Sequence, residues 1–500
     1  MNVKCTRRRF LAAAAAGTAC VVLGGILGCE STKSARATAS RGRAGQAWIF
    51  RSRPDLSPPV IKVTARAHDT AAGNIFVAPK DGHREAGPGQ DGCFIVDNTG
   101  QPIWFYPLRD EEADAFNFKV QTYKGESVLS WWEGHHTGYG QGEYVICDRS
   151  YEEIARVRAG NGLEGDHHEF LISPQDTALL TIYHKVPMDL SALGGKKDAT
   201  VLEGIVQEID IETNEMLFEW RSLEHVGLEE SYRKPPQDPS TPLDYFHINS
   251  IEIDSDGNFL ISAKGTSAVY KVDRESGEIL WRLGGRKSDF EMGEGTKTVS
   301  QHDARRQEDG TITIFDNGAP PQVHEQSRGI VVDLDMDRMS ATLVREYTHP
   351  KELIATSQGN VQILPNGNVF VGWGSSPFFS EYAKDGKLLF DATFPAEVES
   401  YRAFRFPWSG QPDGAPTLVA ERESRGEVTL YASWNGATEV ESWEVLAGAN
   451  PDELEAVAAA PRKGFETAIL VETTEAYVGV RAKNGSGKVL GTAVAVKPRD

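Results

Sequence analysis

One phrase repeats along this chain and limits what it can become. A β-rich run ends in an acidic or Asn-containing turn, and another apolar strand follows. It occurs at Ile95-Val96-Asp97-Asn98, Val145-Ile146-Cys147-Asp148, Glu208-Ile209-Asp210, Tyr270-Lys271-Val272-Asp273, Val331-Val332-Asp333 and Glu381-Tyr382-Ala383-Lys384-Asp385. The Asp residues are separated by 51, 62, 63, 60 and 52 positions, which makes six units. Each holds about four strand-like stretches, as in Asn258-Phe259-Leu260-Ile261-Ser262, Ala268-Val269-Tyr270-Lys271-Val272 and Glu278-Ile279-Leu280-Trp281. Four short strands per unit is what a propeller blade needs, and radial closure hides sheet edges that would otherwise aggregate. Stacked sandwiches are the alternative, but they rarely keep so even a period. The expectation is an all-β chain: a six-bladed β-propeller over residues 47–415 and a small β-sandwich over residues 416–500. The second part is marked by a change of phrase after Gly410-Gln411-Pro412-Asp413-Gly414, with short alternating strands such as Leu430-Tyr431-Ala432-Ser433-Trp434.

Five hundred residues at 40% hydrophobic content can bury a large core. The formal net charge is -20, with 72 acidic against 52 basic residues. Nucleic acid and anionic lipid would be repelled, so neither is expected as a partner. A small anionic substrate is admitted if a local cationic pocket receives it. Clusters of His, Lys or Arg against this background therefore carry information.

The N-terminus reads Thr6-Arg7-Arg8-Arg9-Phe10-Leu11, then an alanine-rich apolar run to Leu27, the layout of a twin-arginine export signal. The run is short of a full membrane span. It ends at Ile26-Leu27-Gly28-Cys29, which resembles a lipoprotein cleavage site with Cys29 as the acylated residue; a plain cleaved signal is the alternative. Residues 1–28 are read as the signal and 29–46, rich in Ser, Thr, Ala, Arg and Gly, as a flexible tether. An extracytoplasmic protein held at the membrane by a lipid is expected. Cys93 and Cys147 then remain in the mature chain. Both lie in strand-like runs, where buried free thiols are a simpler reading than one bridge.

Within three successive units, the strand before the Asp/Asn-Gly type turn opens with histidine. These stretches are Asp166-His167-His168-Glu169-Phe170, Tyr245-Phe246-His247-Ile248-Asn249-Ser250 and Ser300-Gln301-His302-Asp303-Ala304-Arg305. In the next unit the polar position persists as Gln358. The same strand position in every blade sits at the same height beside the axis, so His168, His247 and His302 are predicted to converge. Strand alternation lets only one of His167 and His168 point at the axis. His68, His83, His184, His225, His324 and His349 share no register and are read as surface or loop residues.

These phrases, with Leu260-Ile261-Ser262-Ala263-Lys264, Phe315-Asp316-Asn317-Gly318 and Leu364-Pro365-Asn366-Gly367-Asn368, resemble the arylsulfotransferase family over roughly residues 48 to 410. The C-terminal part is similar to a fibronectin type III module. The resemblance implies a propeller that moves a sulfuryl group from a phenolic sulfate ester to another phenol. It implies no nucleotide sulfate donor, no metal and no other cofactor, and a histidine as transient carrier. Carried over by residue, the carrier is His302, with His168, His247 and Asn249 lining the pocket. The family's sulfate-binding arginine falls at Lys264, a departure from the pattern, and Arg305 or Arg286 are the candidates to compensate.

The chemistry agrees. A neutral imidazole attacks sulfur in line and leaves when an acceptor phenolate arrives, so two easier steps replace one hard step. An acceptor phenol with a pKa of about 10 needs a base, and the leaving phenol needs a proton, tasks for His168 or His247. Asn249 and Lys264 suit the sulfuryl oxygens, although Lys supplies a point charge where Arg supplies a planar fork. Trp131, Trp132, Tyr245, Phe246 and Trp373 are either inter-blade packing or a slot for an aryl ring. Trp373 is the best slot candidate because Gly372 and Gly374 flank it. Two other readings stay open: a metal enzyme with His168, His247 and His302 as ligands, and a binding protein that kept the pocket without turnover.

Overall fold

The computed structural model describes residues 40–41, 46–82, 87–110, 112–238 and 240–500. The expected signal, Cys29 and most of the expected tether lie outside these residues. Of the tether, Ser40–Arg41 pairs antiparallel with Trp48–Ile49. Residues 39–500 form one compact unit. Among the described residues no helix is long and apolar enough to cross a membrane.

The chain is all-β, and apart from two two-stranded pairings its described strands fall into six mainly antiparallel sheets of four or five strands followed by two more. Sheet I holds Asp114–Tyr123, Glu126–His136, Gly140–Cys147 and Glu153–Val157 in chain order. Sheet II begins at Asp166–Ile172, sheet III at Ile248–Ile253, sheet IV at His302–Arg306 and sheet V at Asn360–Ile363, each followed by three strands in order. Sheet VI joins the two ends of this region, because Ala403–Phe406 pairs with Asn74–Val77, which leads on to Gly92–Val96 and Pro102–Pro107. The first strands of sheets I to VI contact one another in sequence, and that of VI contacts that of I again.

The repeating Asp has a local cause. In five of the six sheets it stands where the third strand turns into the fourth, and its side-chain oxygen accepts backbone N–H groups and closes an Asx turn. Asp97 accepts from Thr99 (2.7 Å), Asp148 from Ser150 (2.8 Å), Asp210 from Thr213 (2.8 Å), Asp273 from Ser276 (2.8 Å) and Asp385 from Lys387 (3.1 Å). The fifth unit departs from expectation. Asp333 lies inside the strand Arg328–Asp335, and Asp335 holds the turn through Asp337 (3.1 Å) and Arg338 (3.0 Å).

The inner strands are buried on both faces, so they read as unbroken apolar runs: Gly92–Val96 and Phe259–Ala263 have no exposed residue. Cys93 and Cys147 are buried free thiols in one apolar cluster, as expected. Burial pushes the Cys147 thiol up to about 12.

In the C-terminal part, Thr417–Ser424, Glu427–Ser433 and Glu466–Glu472 form one sheet. Glu453–Pro461, Ser442–Asn450, Tyr477–Lys483 and Val489–Thr492 form the other, and the two share a core around Trp443, Val445, Leu430 and Val480. This part is joined to the first six sheets by specific contacts. The Asn435 amide donates to and accepts from the backbone of Phe105, both at 2.9 Å, and so completes the outer edge of Pro102–Pro107. Tyr151 donates to the Gly436 carbonyl (2.7 Å), and Phe50 packs on Phe465 with ring centroids 4.4 Å apart.

Candidate active site

The first strands of sheets I to IV break register at equivalent places: between Phe116 and Lys119, Asp166 and Phe170, Ile248 and Ser250, and His302 and Arg305. A bulge of this kind bends a strand and re-aims its side chains. Asn117 and Asp303 stand within two of these breaks and His247 just before a third, at φ values of 57°, 57° and 54°, in the left-handed region. Simple alternation is lost. His167 and His168 do not point to opposite faces; their rings stack with centroids 4.0 Å apart.

The predicted convergence is present. The rings of His168 and His247 lie 5.0 Å apart and those of His247 and His302 6.4 Å apart, each pair edge-on. Tyr183 stacks on His168 at 5.3 Å, and Tyr401 stands edge-on to it at 5.7 Å.

Each imidazole is held through Nδ1, but by different partners. His168 Nδ1 lies 2.5 Å from Asp166 Oδ2, and Asp166 is itself fixed by the backbone N–H groups of Gly140 (2.6 Å) and His168 (2.9 Å). His247 Nδ1 hydrogen-bonds Asp244 Oδ2. His302 Nδ1 instead meets Asn317 Oδ1 at 2.7 Å and the Ser300 carbonyl at 3.1 Å. The Asn317 amide nitrogen donates to the carbonyls of Ala355 (2.8 Å) and Gln358 (3.0 Å), so its oxygen must face His302. His302 therefore carries its proton on Nδ1 and its lone pair on Nε2. That lone pair accepts the backbone N–H of Gln358 at 3.2 Å.

Burial disfavours the charged form of two of these rings, His302 and His247. Burial, then the charge of Lys264, hold His302 well below the usual imidazole range. Burial lowers His247 to about 4 against the opposing pull of Asp244. Lys264 is itself buried, with a single acceptor among the described residues, the Thr356 carbonyl at 3.1 Å. Burial and then Arg233 bring its ammonium down to about 8. Lys264 and Arg233 make the local cationic character that an anionic substrate requires on this acidic chain.

Against this geometry stand the comparisons with known proteins. The model of the arylsulfotransferase (ASST) family matches residues 119–395, more than half of the chain. The chain belongs to the arylsulfotransferase family. Membership implies a sulfotransferase acting on small aromatic substrates. No curated protein matches. Among solved structures, a protein of unknown function from Bacteroides caccae is 14% identical, with 67% of this chain and 100% of that chain covered and a TM-score of 0.40. A catalytically inactive virginiamycin B lyase from Staphylococcus aureus with quinupristin is 8% identical, with 75% and 97% covered and a TM-score of 0.35. A GH43 protein from Bacillus licheniformis is 8% identical, with 77% and 89% covered and a TM-score of 0.30.

Several residues of this arylsulfotransferase family member stand elsewhere than expected. Arg305 has all five N–H groups engaged: Nε with Asp303 (2.9 Å), Nη1 with the Ile251 carbonyl (2.7 Å) and Glu252 (3.0 Å), and Nη2 with Glu169 and Asp303. It is part of a buried charge cluster with Lys119, Glu169 and Arg402, and has no donor left for a sulfate. Arg286 lies over the Tyr232 ring and donates to the Ser231 carbonyl (3.2 Å). Trp373 is fully buried in the core with Phe315, Val371 and Tyr382, and its N–H is taken by Ser380 (2.9 Å), so it offers no slot. Trp131, Trp132, Tyr245 and Phe246 are likewise core packing. His349 lies in the loop after Ser340–Thr348, as expected, but is buried there against Asp391 at 3.1 Å. His83 lies outside the described residues.

The three-histidine metal set is corrected as well. Among the described residues, the ligand atoms that group within 4.8 Å belong to Asp166, His167 and His168, not to His168, His247 and His302. Asp166, Asp244, Asn317 and Arg233 were missed by sequence reasoning. Asp166 and Asp244 had a signal, a carboxylate two or three positions before each histidine.

Proposed function

We propose that the chain transfers a sulfuryl group from a phenolic sulfate ester to a phenol through a sulfuryl-histidine at His302, independently of nucleotide sulfate. The observation that carries this reading is the difference in what stands behind the three imidazoles. A carboxylate behind His168 and another behind His247 stabilise an imidazolium, which suits groups that give and take protons. A neutral amide behind His302 does not, which suits a nucleophile that must keep its lone pair.

In the first half-reaction His302 Nε2 bonds to sulfur while the aryl oxygen–sulfur bond breaks, and the departing phenolate takes a proton from the imidazolium form of His168, which Asp166 supports. Lys264 leaves the Thr356 carbonyl for the sulfuryl oxygens, and the Gln358 N–H leaves Nε2. In the second half-reaction the acceptor oxygen bonds to sulfur as the sulfur–nitrogen bond breaks. Its proton passes to His247, neutral at rest, and from there to the adjacent His168, which regains the proton it gave to the leaving phenolate. Ping-pong kinetics follow. The test is release of a chromogenic phenol from its sulfate by metal-free protein with and without added phenol. Phenol-stimulated release that is lost in His302→Ala supports the reading, and absence of stimulated release overturns it.

The ring of first strands supports a six-bladed propeller, and the shared C-terminal core supports a β-sandwich of fibronectin type III kind. Residues 1–28 are proposed as a twin-arginine lipoprotein signal with Cys29 acylated, placing the protein outside the cytoplasm on a membrane. Recovery of the Cys29→Ser chain with the membrane fraction would overturn that placement.

A further inference from the structure

We infer that the natural acceptor carries at least one further hydroxyl beside the one that is sulfated, a vicinal diol rather than a simple phenol. The inference rests on the transfer reading above and concerns what else the pocket asks of its ligand. Three buried oxygen atoms around His302 have no hydrogen-bond partner: Asn249 Oδ1, Ser357 Oγ and Gln358 Oε1.

The two amides are turned so that their oxygens are the open atoms. Asn249 Nδ2 donates to the carbonyl of Gln301 (2.8 Å), and Gln358 Nε2 donates to Glu399 Oε1 (2.8 Å). Reversing either amide would set oxygen against oxygen, so each open atom is an acceptor by necessity. All three belong to the catalytic surroundings. Asn249 is two residues beyond His247 and is bonded to the residue before His302. Ser357 sits between the Thr356 carbonyl on Lys264 and the Gln358 N–H on His302 Nε2.

Buried acceptors without donors are costly, and a site that keeps them is matched to a ligand that brings the donors. A sulfuryl group presents only acceptor oxygens, which suit Lys264 and the Ser357 O–H and do nothing for the two amide oxygens. A monohydric phenol has one O–H, and that proton goes to His247. A second, adjacent O–H supplies the missing donor. The rings of Tyr183, Tyr401 and the histidines offer aromatic walls, which favours a diol on an aromatic ring over one on a sugar.

The test compares catechol with 2-methoxyphenol, which keeps the second oxygen and removes its hydrogen. With 4-nitrophenyl sulfate as donor, kcat/KM for catechol should exceed that for 2-methoxyphenol by about tenfold or more, because a site built to bond a hydroxyl rejects the analogue lacking it. In Gln358→Met the ratio should fall toward two, the statistical factor for two equivalent hydroxyls. A wild-type ratio near two overturns the inference. Methyl glucoside outrunning catechol would keep the diol and overturn its aromatic setting. If no acceptor is sulfated at all, the transfer reading fails. Calorimetric binding then decides separately: tighter binding of catechol than of 2-methoxyphenol upholds the diol, and equal binding overturns it.

Discussion

The histidine end of the first six sheets and the core of the C-terminal pair are built from the same materials, buried strands with polar atoms among them, yet they treat those atoms differently. Among the described residues, no buried side-chain polar atom of residues 416–500 lacks a hydrogen-bond partner. Trp443 donates to Thr467 (3.1 Å) and Trp434 to the Gly414 carbonyl (2.8 Å). Around the histidines, His167 Nδ1, Asp244 Oδ1, Asn249 Oδ1, Ser357 Oγ and Gln358 Oε1 all stand without one. An open buried polar atom costs roughly 1–3 kcal/mol, so a fold retains several together where a ligand completes them. Open atoms also occur at Gln326, Arg345, Glu381 and Arg405, so what sets the histidine end apart is the grouping of five of them beside three imidazoles.

The sharpest attempt to break this contrast is His302→Ala. Removing the nucleophile should lower phenol-stimulated transfer by about a thousandfold or more, measured as initial rates, because the partial reactions have no other carrier. Asn317→Asp comes next. It puts a carboxylate behind His302 as behind the other two and raises the imidazole's pKa. Transfer at pH 6 should fall by about tenfold, with the acid limb of the pH profile moved upward. An unmoved acid limb would detach His302 from its proposed role.

Lys264→Arg acts on donor binding. The Lys264 ammonium loses its proton as pH rises through about 8, so donor KM should climb above that pH in the wild type. A guanidinium stays charged, and the alkaline climb should disappear in the variant. The smallest expected effect on turnover lies in the other region. Asn435→Ala leaves the N–H and carbonyl of Phe105 without partners, and should cost about 1–3 kcal/mol of stability in denaturant titration with kcat unchanged.

The six-fold repeat was legible because its cause is local: a carboxylate reaching backbone N–H groups two or three residues ahead. Its one displacement, from Asp333 to Asp335, goes with a third strand that runs on to Asp335, whose carboxylate then holds the turn. His168, His247 and His302 were legible because equivalent strand positions meet at one place. The role of Arg305 was not, since Glu169, which takes its Nη2, comes from a different sheet and 136 residues away. Trp373 looked open because of flanking glycines, but the neighbours that bury it are brought by other strands. The bulges that stack His167 on His168 leave no mark in the apolar pattern, so alternation misled there.

Sheet VI carries a consequence for biogenesis. Its first strand, Ala403–Phe406, finds its partner more than three hundred residues earlier, in Asn74–Val77. During synthesis the ribosome must deliver all the histidine-bearing strands before that partner can be joined. Pairing so distant in sequence is slow to form. A product truncated before Phe406 would carry all three imidazoles and yet leave Asn74–Val77 without the strand it pairs with.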